Sequence, residues 1–447
     1  MTTLSEYIKV QGGYAYKSKD FIEFSKNKVL KIKNVRFGTI DYSEPAYVSD
    51  ELSESTKNWK VKEGDVLISM TGSGPNAPQS LVGRVARVWK NEPDAWINQR
   101  VGRICLLDED SVHLDFIFYW LSLPQSQDYL VSNSSGSANQ ANISGKTIES
   151  LPCPKVDYQT SKQIADLARK FDEKVILNSK TNQTLEEMAQ AIFKSWFVDF
   201  DPVKAKMNGE QPEGMDAATA SLFPDKLVES ELGLIPEGWP VDHVGNHIKV
   251  TKGKSYKSAE LQESTTALVT LKSFKRGGGY RMDGLKEYTG TYKPQQVIDA
   301  GDLVMSLTDV TQAAEIVGKP ALVIDAPQYD TLVASLDVAI LRPKKTHAKQ
   351  YFYGLMSTYR FHRYAESFAS GTTVLHLSPK GITTFEFACP SVELVKKYHE
   401  FATPIFAKIE ANILESQELS KLRDTLLPKL LSGEIELGQA QELAEVE

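Results

Sequence analysis

The chain has 447 residues, of which 41% are hydrophobic and 24% charged, as in ordinary globular proteins of about three domains. We find no apolar stretch of the roughly 20 residues that a membrane helix needs and no secretory signal at the N-terminus, so we expect a cytoplasmic protein. The formal net charge of −7 argues against a uniformly basic surface for nucleic acid.

Residues 1–155 are predicted to form an α+β domain. Its first 40 residues are locally basic, with eight Lys or Arg against three acids. Val66–Met70, which follows a Gly-Asp turn, is predicted to be a strand, as are 82–88 and 97–107. A helix is expected at Phe116–Leu123.

Residues 156–198 are predicted to form a long helix, since 158–197 contain neither Gly nor Pro. Its apolar residues recur with a heptad period, interrupted by Asn178 and Asn182. The helix ends in an aromatic cluster that either packs in the core of the chain or contacts a partner. The members of this cluster are Phe193, Trp196 and Phe197. Residues 199–235, rich in Pro and Gly, are predicted to be a linker with at most short helical turns.

Residues 236–391 repeat the first domain. His247–Ser258 (HIKVTKGKSYKS) matches Tyr7–Ser18 (YIKVQGGYAYKS) at seven of twelve positions, and Gly301–Thr308 (GDLVMSLT) matches Gly64–Thr71 (GDVLISMT). The basic stretch also recurs, because residues 249–286 hold nine Lys or Arg against three acids. Two shorter matches keep the same order, namely Gly83-Arg84 with Gly318-Lys319 and Cys153-Pro154 with Cys389-Pro390. The chain is therefore predicted to be an internal duplication.

A second long helix is predicted over 392–432, followed by an acidic tail, 433–447. Half-apolar helices of about 40 residues need a partner, and each would span about 60 Å. We therefore expect the two helices to pack against each other in antiparallel orientation. The predicted fold is α+β, with two tandem domains separated by two long antiparallel coiled-coil helices and related by a pseudo-two-fold axis.

Motifs for catalysis are missing from the sequence. Gly145-Lys146-Thr147 lacks the earlier glycine of a phosphate-binding loop, and no Pro-Pro pair of a base-methylating motif occurs. His243 and His247 have an i,i+4 spacing, but nearby Pro and Gly argue against a zinc site on a helix. The cysteines form no CxxC, so we expect reduced thiols, with Cys153 and Cys389 equivalent and packed. Three hypotheses stay open, namely a DNA-specificity protein, a coiled-coil scaffold that binds only proteins, and an enzyme with an unrecognised site.

The sequence resembles the specificity (S) subunits of type I restriction-modification enzymes over nearly its whole length. The segments that carry the resemblance are Gly136–Ser144, Leu151–Pro154, Ala191–Val203, Leu234–Trp239 and Leu426–Glu434. The resemblance implies two target recognition domains, each reading one half of a bipartite, asymmetric target in double-stranded DNA. It also implies partners, namely two modification (M) subunits and, through them, restriction (R) subunits. S-adenosylmethionine, ATP and Mg²⁺ are expected only in those partners, with no cofactor in this chain.

The candidate DNA-binding residues follow from their positions in the two copies. For phosphates we predict Lys17, Lys33 and Arg36 in the first copy and Lys257, Lys272, Lys275 and Arg276 in the second. For base edges we predict Thr71, Ser73, Asn98, Gln99 and Arg100, with Thr308, Thr311 and Gln312. The alternative for each residue is a solvated loop position.

Overall fold

The computed structural model describes residues 2–74, 81–137, 140–310, 312–372 and 374–440. The chain divides into two compact units, one of Met1–Leu177 with Glu415–Glu447 and the other of Asn178–Leu414. Each unit holds one α+β domain and part of each of two long helices, which confirms the predicted fold class. Among the described residues, no helix has the length and apolarity to span a membrane.

The first domain alternates short strands with short helices. Its strands are β1 (Thr2–Thr3), β2 (Ile8–Gly12), β3 (Lys28–Leu30), β4 (Ala46–Tyr47), β5 (Val66–Ser69), β6 (Thr71–Gly72), β7 (Val85–Arg87), β8 (Ala95–Ile97), β9 (Val101–Leu106), β10 (Ser135–Ser137), β11 (Gln140–Asn142) and β12 (Pro152–Cys153). Its helices are α1 (Asp50–Ser55), α2 (Leu114–Ser122), α3 (Pro124–Ser132) and α4 (Gly145–Glu149). The long helix α5 (Tyr158–Phe197) follows.

The core of the first domain lies around strand β5. The antiparallel sheet β2-β9-β5-β7 contains β5 as an inner strand, and every residue of β5 is buried. A continuous apolar run is what a strand covered on both faces requires. A second sheet, β4-β3-β8, pairs β3 with β8 in parallel. The predicted strand at 97–107 is wrong in one respect, because residues 98–100 form a turn between β8 and β9.

The second unit begins with the end of α5 and continues through the second domain. Its strands are β13 (Leu227–Ser230), β14 (Gly233–Pro236), β15 (Val241–His243), β16 (Ile248–Lys252), β17 (Thr266–Val269), β18 (Lys286–Glu287), β19 (Val297–Ile298), β20 (Leu303–Ser306), β21 (Thr308–Asp309), β22 (Pro320–Leu322), β23 (Thr331–Ala334), β24 (Val338–Pro343), β25 (Ala369–Ser370), β26 (Leu375–Leu377) and β27 (Glu386–Ala388). Its helices are α6 (Asp201–Met207), α7 (Ala217–Ser221), α8 (Lys349–Ser357), α9 (Tyr359–Ser367), α10 (Lys380–Thr383) and the first part of α11 (Val392–Ser432).

The second domain repeats the topology of the first. The sheet β16-β24-β20-β22 matches β2-β9-β5-β7, and β17 pairs with β23 in parallel as β3 does with β8. The fully buried strand β20 takes the place of β5. Two sequences with the same buried strand at an offset of 237 residues therefore build the same sheet, as the predicted duplication requires.

The predicted linker contains more structure than expected. Short helices α6 and α7 agree with the prediction of helical turns, but β13 and β14 form an antiparallel hairpin with Leu227 opposite Pro236. Gly233, the first residue of β14 after the turn, has a positive φ of 89°, which suits glycine. The prediction of loop over 199–235 is thus wrong at 227–235.

The predicted equivalence of Cys153 and Cys389 is also wrong. Thr2 pairs with Cys153 across the β1·β12 ladder, whereas Asp242, at the same place in the second domain, pairs with Phe387. Phe387 therefore takes the position of Cys153, and Cys389 lies two residues further on. A shared Cys-Pro dipeptide does not establish that two cysteines are equivalent, because it carries no information about strand register. Both thiols are free, and burial raises the pKa of each to about 11.

The two long helices pack antiparallel within the first unit. Asp172 of α5 forms an ion pair with Arg423 of α11, and two residues later Lys174 pairs with Glu415 at 3.3 Å. Residue numbers rise on one helix as they fall on the other, as antiparallel packing demands.

The same orientation holds within the second unit, where a buried polar layer lies between the helices. Asn182 donates to the Ile409 carbonyl at 3.1 Å, and Asn412 donates to the side-chain oxygen of Asn182 at 2.7 Å. Asn178 donates to the Asn412 carbonyl at 3.3 Å. Asparagines that interrupt an apolar stripe specify the register of paired helices, so these residues fix how the helices align.

Candidate nucleic-acid interface

A turn between strands β8 and β9 carries three of the predicted base-reading residues, Asn98, Gln99 and Arg100. Its backbone is held from both sides, since Asn98 donates to the Leu30 carbonyl at 3.0 Å and Met70 donates to the Arg100 carbonyl at 2.9 Å. The Asn98 side-chain oxygen accepts the Gln99 backbone N–H at 2.7 Å. Gln99 and Arg100 are exposed. The structure thus places these two side chains on a fixed turn that is open to solvent.

The second domain has a matching turn, which the sequence analysis missed. Ser335 donates to the Val269 carbonyl at 3.0 Å, and Leu307 donates to the Asp337 carbonyl at 2.7 Å, as Met70 does to Arg100. The intervening Leu336 is exposed. Adding the offset of 237 residues to Asn98 gives Ser335, so the repeat contained the signal that would have identified this turn.

A glycine lets the basic loop of each domain approach its turn. A β-carbon on Gly13 would lie 2.2 Å from the Asn98 carbonyl oxygen, and one on Gly253 would lie 2.0 Å from that of Ser335. No side chain fits at such distances, so both positions require glycine. This close approach explains why Gly13 and Gly253 are identical in the repeated motif, and it fixes the loop that continues to the predicted lysines.

Lys17 and Lys257 occupy the same place at the ends of these loops. The backbone N–H of Lys17 donates to a carboxylate oxygen of Asp20 at 2.7 Å, and that of Lys257 donates to Glu260 at 2.7 Å. Both lysine side chains are exposed, and neither makes an ion pair with another described residue. Each ammonium group is therefore available to a phosphate while its backbone is held.

Lys33 and Arg36 lie on a segment that a buried arginine supports. Arg84, only 2% exposed, donates to the Val35 carbonyl and the Ile32 carbonyl, at 2.8 Å each. Lys33 and Arg36 themselves are exposed and pair with Glu44 at 3.0 Å and Asp41 at 3.1 Å. Exposed ion pairs contribute about 0–1 kcal/mol, so exchanging these acids for phosphates costs little.

The second domain presents its basic residues on a glycine turn and on the short 3-10 helix before it. Lys272, Lys275 and Arg276 are exposed, and Arg276 pairs with Glu315 at 3.4 Å. Lys275 donates its backbone N–H to the Gly279 carbonyl at 2.9 Å, which closes the turn. All three glycines of the turn, 277–279, have positive φ. Their backbone conformation therefore requires glycine, and the turn is hydrogen-bonded rather than open.

Two predicted base readers are wrong. Thr71 and Thr308 are 7% and 5% exposed, and their hydroxyls donate to Asn142 at 2.7 Å and to Asp337 at 2.8 Å. A buried hydroxyl with a hydrogen-bond partner inside the domain cannot reach a base edge without breaking that bond. Both threonines instead hold neighbouring loops. Both threonines directly follow buried strands, and the sequence does not show which side a strand end faces.

The remaining predicted base readers differ in their exposure to solvent. Ser73 is half-buried and forms a parallel bridge with Leu81. Gln312 is exposed and donates to the Thr372 carbonyl at 3.1 Å. Thr311 lies outside the residues that the structure describes.

The aromatic cluster at the end of α5 belongs to the core of the second unit. Phe193, Trp196 and Phe197 are buried, and the Phe197 ring contacts those of Tyr351 and Tyr398, at centroid distances of 4.9 and 5.4 Å. Side chains so covered leave little surface for another protein. The predicted role of these three residues in partner binding is therefore corrected to intramolecular packing, the alternative that the sequence had left open.

The comparisons with known proteins agree with this architecture. Residues 2–187 match the family model described as "Type I restriction modification DNA specificity domain". The chain is 25% identical over 421 residues to the type I restriction enzyme HindI specificity subunit of Haemophilus influenzae, an alignment that covers 84% of this chain and 87% of the relative. It is 22% identical to the MjaVIII specificity subunit of Methanocaldococcus jannaschii, covering 93% and 91% of the two chains.

The fold is similar to that of a solved structure, the type I restriction-modification system S subunit from M. genitalium. The TM-score is 0.54 with 16% identity, and the match covers 96% of this chain and 95% of that one. The specificity-domain match over residues 2–187, together with relatives that cover most of the chain, shows that this chain is similar to type I restriction-modification specificity subunits.

Proposed function

We propose that this chain is the sequence-specific DNA-binding specificity subunit of a type I restriction-modification system. The observation that carries the proposal is the repetition, in both domains, of a fixed turn beside a basic loop. Exposed lysines on the loop supply sequence-independent attraction to phosphates, and side chains on the turn contact base edges. One such surface in each domain gives a bipartite target, and the different side chains of the two turns make that target asymmetric.

The two turns differ in chemistry, which supports the reading of different half-sites. The first presents Gln99 and Arg100, and the second presents Leu336 beside Asp337. Arginine pairs best with guanine and glutamine with adenine in the major groove, whereas an apolar side chain contacts the thymine methyl group. We therefore expect the half-site read by the first domain to depend on a purine, and that of the second to depend on a thymine.

The partners and the chemistry follow from the same proposal. The chain positions two modification (M) subunits on DNA and, through them, restriction (R) subunits. The M and R subunits bind S-adenosylmethionine, ATP and Mg²⁺, while this chain contributes no catalytic group. The similarity of this chain to type I specificity subunits supports this division of labour. A coiled-coil scaffold without DNA recognition is disfavoured because a scaffold needs no such matched basic surfaces.

The DNA-binding part of the proposal is tested by titrating labelled duplex DNA with the purified chain at two salt concentrations. We expect the affinity to fall steeply with salt, because each phosphate contact releases counterions. Lys17→Gln with Lys257→Gln should reduce the slope of log K against log salt by about 2, or about 1 for each lysine. A matched control is Lys421→Gln, an exposed lysine on α11. Binding that is insensitive to salt, or equal effects of both variants, would contradict the proposal.

The specificity and the absence of catalysis are tested by expressing the chain with and without its methyltransferase partner and sequencing the methylated genome. With the partner we expect adenine methylation in both halves of one split motif. The chain alone should neither methylate nor cleave DNA. Activity without any partner would refute the division of labour, and methylation at a continuous motif would refute bipartite recognition.

A further inference from the structure

Three potential metal ligands from separate segments of the second domain lie together. Asp242 belongs to β15, His247 precedes β16, and Cys389 follows β27. One ligand atom from each lies within 4.8 Å of the other two. The His247 Nε2 atom is 2.8 Å from Asp242 Oδ2 and 3.9 Å from Cys389 Sγ. Among the residues that the structure describes, no other group of three such side chains meets this distance limit.

The strand register brings these side chains onto one face. Asp242 lies opposite Phe387 in the antiparallel β15·β27 ladder, so their side chains point to the same side. Cys389, two residues beyond Phe387, donates its backbone N–H to the Pro240 carbonyl at 2.8 Å and keeps that side. The His247 ring packs on Phe387 at a centroid distance of 5.5 Å. The backbone thus fixes all three positions.

The donor set has the chemistry that zinc prefers. Imidazole nitrogen, thiolate sulfur and carboxylate oxygen are its usual protein ligands, and the bond lengths of a tetrahedral site place ligand atoms about 3.3–3.7 Å apart. The observed 2.8 and 3.9 Å separations bracket that range. A metal would therefore replace the direct Asp242–His247 hydrogen bond after small side-chain rotations. Asn246 donates to the other Asp242 oxygen at 2.6 Å and would hold the carboxylate in place, as outer-shell groups do.

We propose that Asp242, His247 and Cys389 form a binding site for a zinc-like divalent cation, with a fourth position left for water. The site would link strand β15 to the segment that leads into α11, which begins at Val392. The first domain has Thr2, Tyr7 and Lys155 at the corresponding places and cannot form such a site. The proposed cation is thus specific to the second domain and independent of DNA binding.

The direct test is titration of the reduced, chelator-treated full chain with Co²⁺, followed by displacement with Zn²⁺. We expect one equivalent of Co²⁺ to produce a thiolate-to-cobalt charge-transfer band, which Zn²⁺ abolishes. Cys389→Ser and His247→Gln should lose the band, whereas Cys105→Ser, which removes a half-buried thiol of the first domain, should keep it. The absence of a band in the unmodified chain, or its persistence in Cys389→Ser, would overturn the proposal.

A second measurement needs no variant and so does not depend on the folding of a mutant. Iodoacetamide alkylation of the unmodified chain, read by peptide mass spectrometry, should slow at Cys389 when Zn²⁺ is added and stay unchanged at Cys105. Equal rates at Cys389 with and without Zn²⁺ would show that the three side chains form only a hydrogen-bonded cluster. Both results are independent of the proposed DNA-binding function.

Discussion

Replacement of Asp172 should weaken the first unit. It accepts a hydrogen bond from the Tyr119 hydroxyl at 2.7 Å and pairs with Arg423 of α11, so it joins helix α2 of the domain to both long helices. The Asp172 side chain is 9% exposed and that of Arg423 27%. Burial raises the pKa of Asp172 in spite of Arg423, so its charge is held in an unfavourable setting. These contacts hold helix α2 against the two long helices, but burying the charged groups of Asp172 and Arg423 costs desolvation free energy.

Asp172→Ala leaves two polar groups without their partner. Breaking a buried ion pair from one side costs about 3–5 kcal/mol, and Tyr119 also loses its acceptor. Arg423 keeps Asp424 at 2.7 Å and is partly exposed, so we expect the lower end, about 3 kcal/mol. Asp172→Leu with Arg423→Leu should recover part of that loss, because paired apolar groups carry no desolvation cost, while Tyr119 still lacks its acceptor. Asp424→Ala is the control and should cost less than about 1 kcal/mol, since that side chain is 66% exposed.

The assay is urea unfolding of the full chain, followed by tryptophan fluorescence. Trp59, Trp89, Trp96 and Trp120 report on the first unit. Its transition should move to lower urea in Asp172→Ala and return part of the way in the double variant. If Asp172→Ala shifted the midpoint no more than Asp424→Ala, the network would not join the domain to the helices as argued.

Three further predictions concern other polar groups. Burial lowers the pKa of His113, so the unfolded state takes up its proton first as the pH falls below about 6.5. Stability of the first unit should therefore decrease between about pH 7.5 and 5.5, less steeply in His113→Gln, and urea midpoints at both pH values would check this. Arg84→Met removes the hydrogen bonds to the Ile32 and Val35 carbonyls. We expect the unfolding free energy to fall by about 2–3 kcal/mol and DNA binding to weaken. Unchanged DNA binding would show that Arg84 does not support the DNA-binding surface. Asn412→Leu removes the side-chain amide that donates to Asn182 and should lower the unfolding free energy of the second unit by about 1–3 kcal/mol. A gain in stability, measured by urea unfolding, would contradict a specific polar layer.

The long-range pattern of the sequence predicted the architecture well. The second long helix was predicted over 392–432, and α11 spans those residues. The first was predicted over 156–198, and α5 covers 158–197. A heptad pattern over forty residues and a repeat with a nearly constant offset are strong signals, because many positions support the same structure. The duplicated sheets follow from the same signal, and the domain boundaries stay predictions.

Local features escaped prediction where they depend on neighbours that are distant in sequence. Thr71 and Thr308 follow predicted strands, but their burial depends on loops about 30–70 residues away. The position of Cys389 depends on the register of β15 with β27, which no dipeptide encodes. The support of Lys33 and Arg36 by Arg84 spans about fifty residues. Such contacts are set by tertiary packing. The residue types alone therefore predicted the basic surfaces, but they did not predict which side chains face solvent.

Exchange of one domain tests the central claim most directly. Residues 2–155 would be replaced by the matching segment of a similar specificity subunit, and the methylated genome would be sequenced in cells that also express the proposed methyltransferase partner. If each domain reads one half of the target, the exchange changes one half of the motif and leaves the other half intact. A change in both halves, or in neither, would contradict the account.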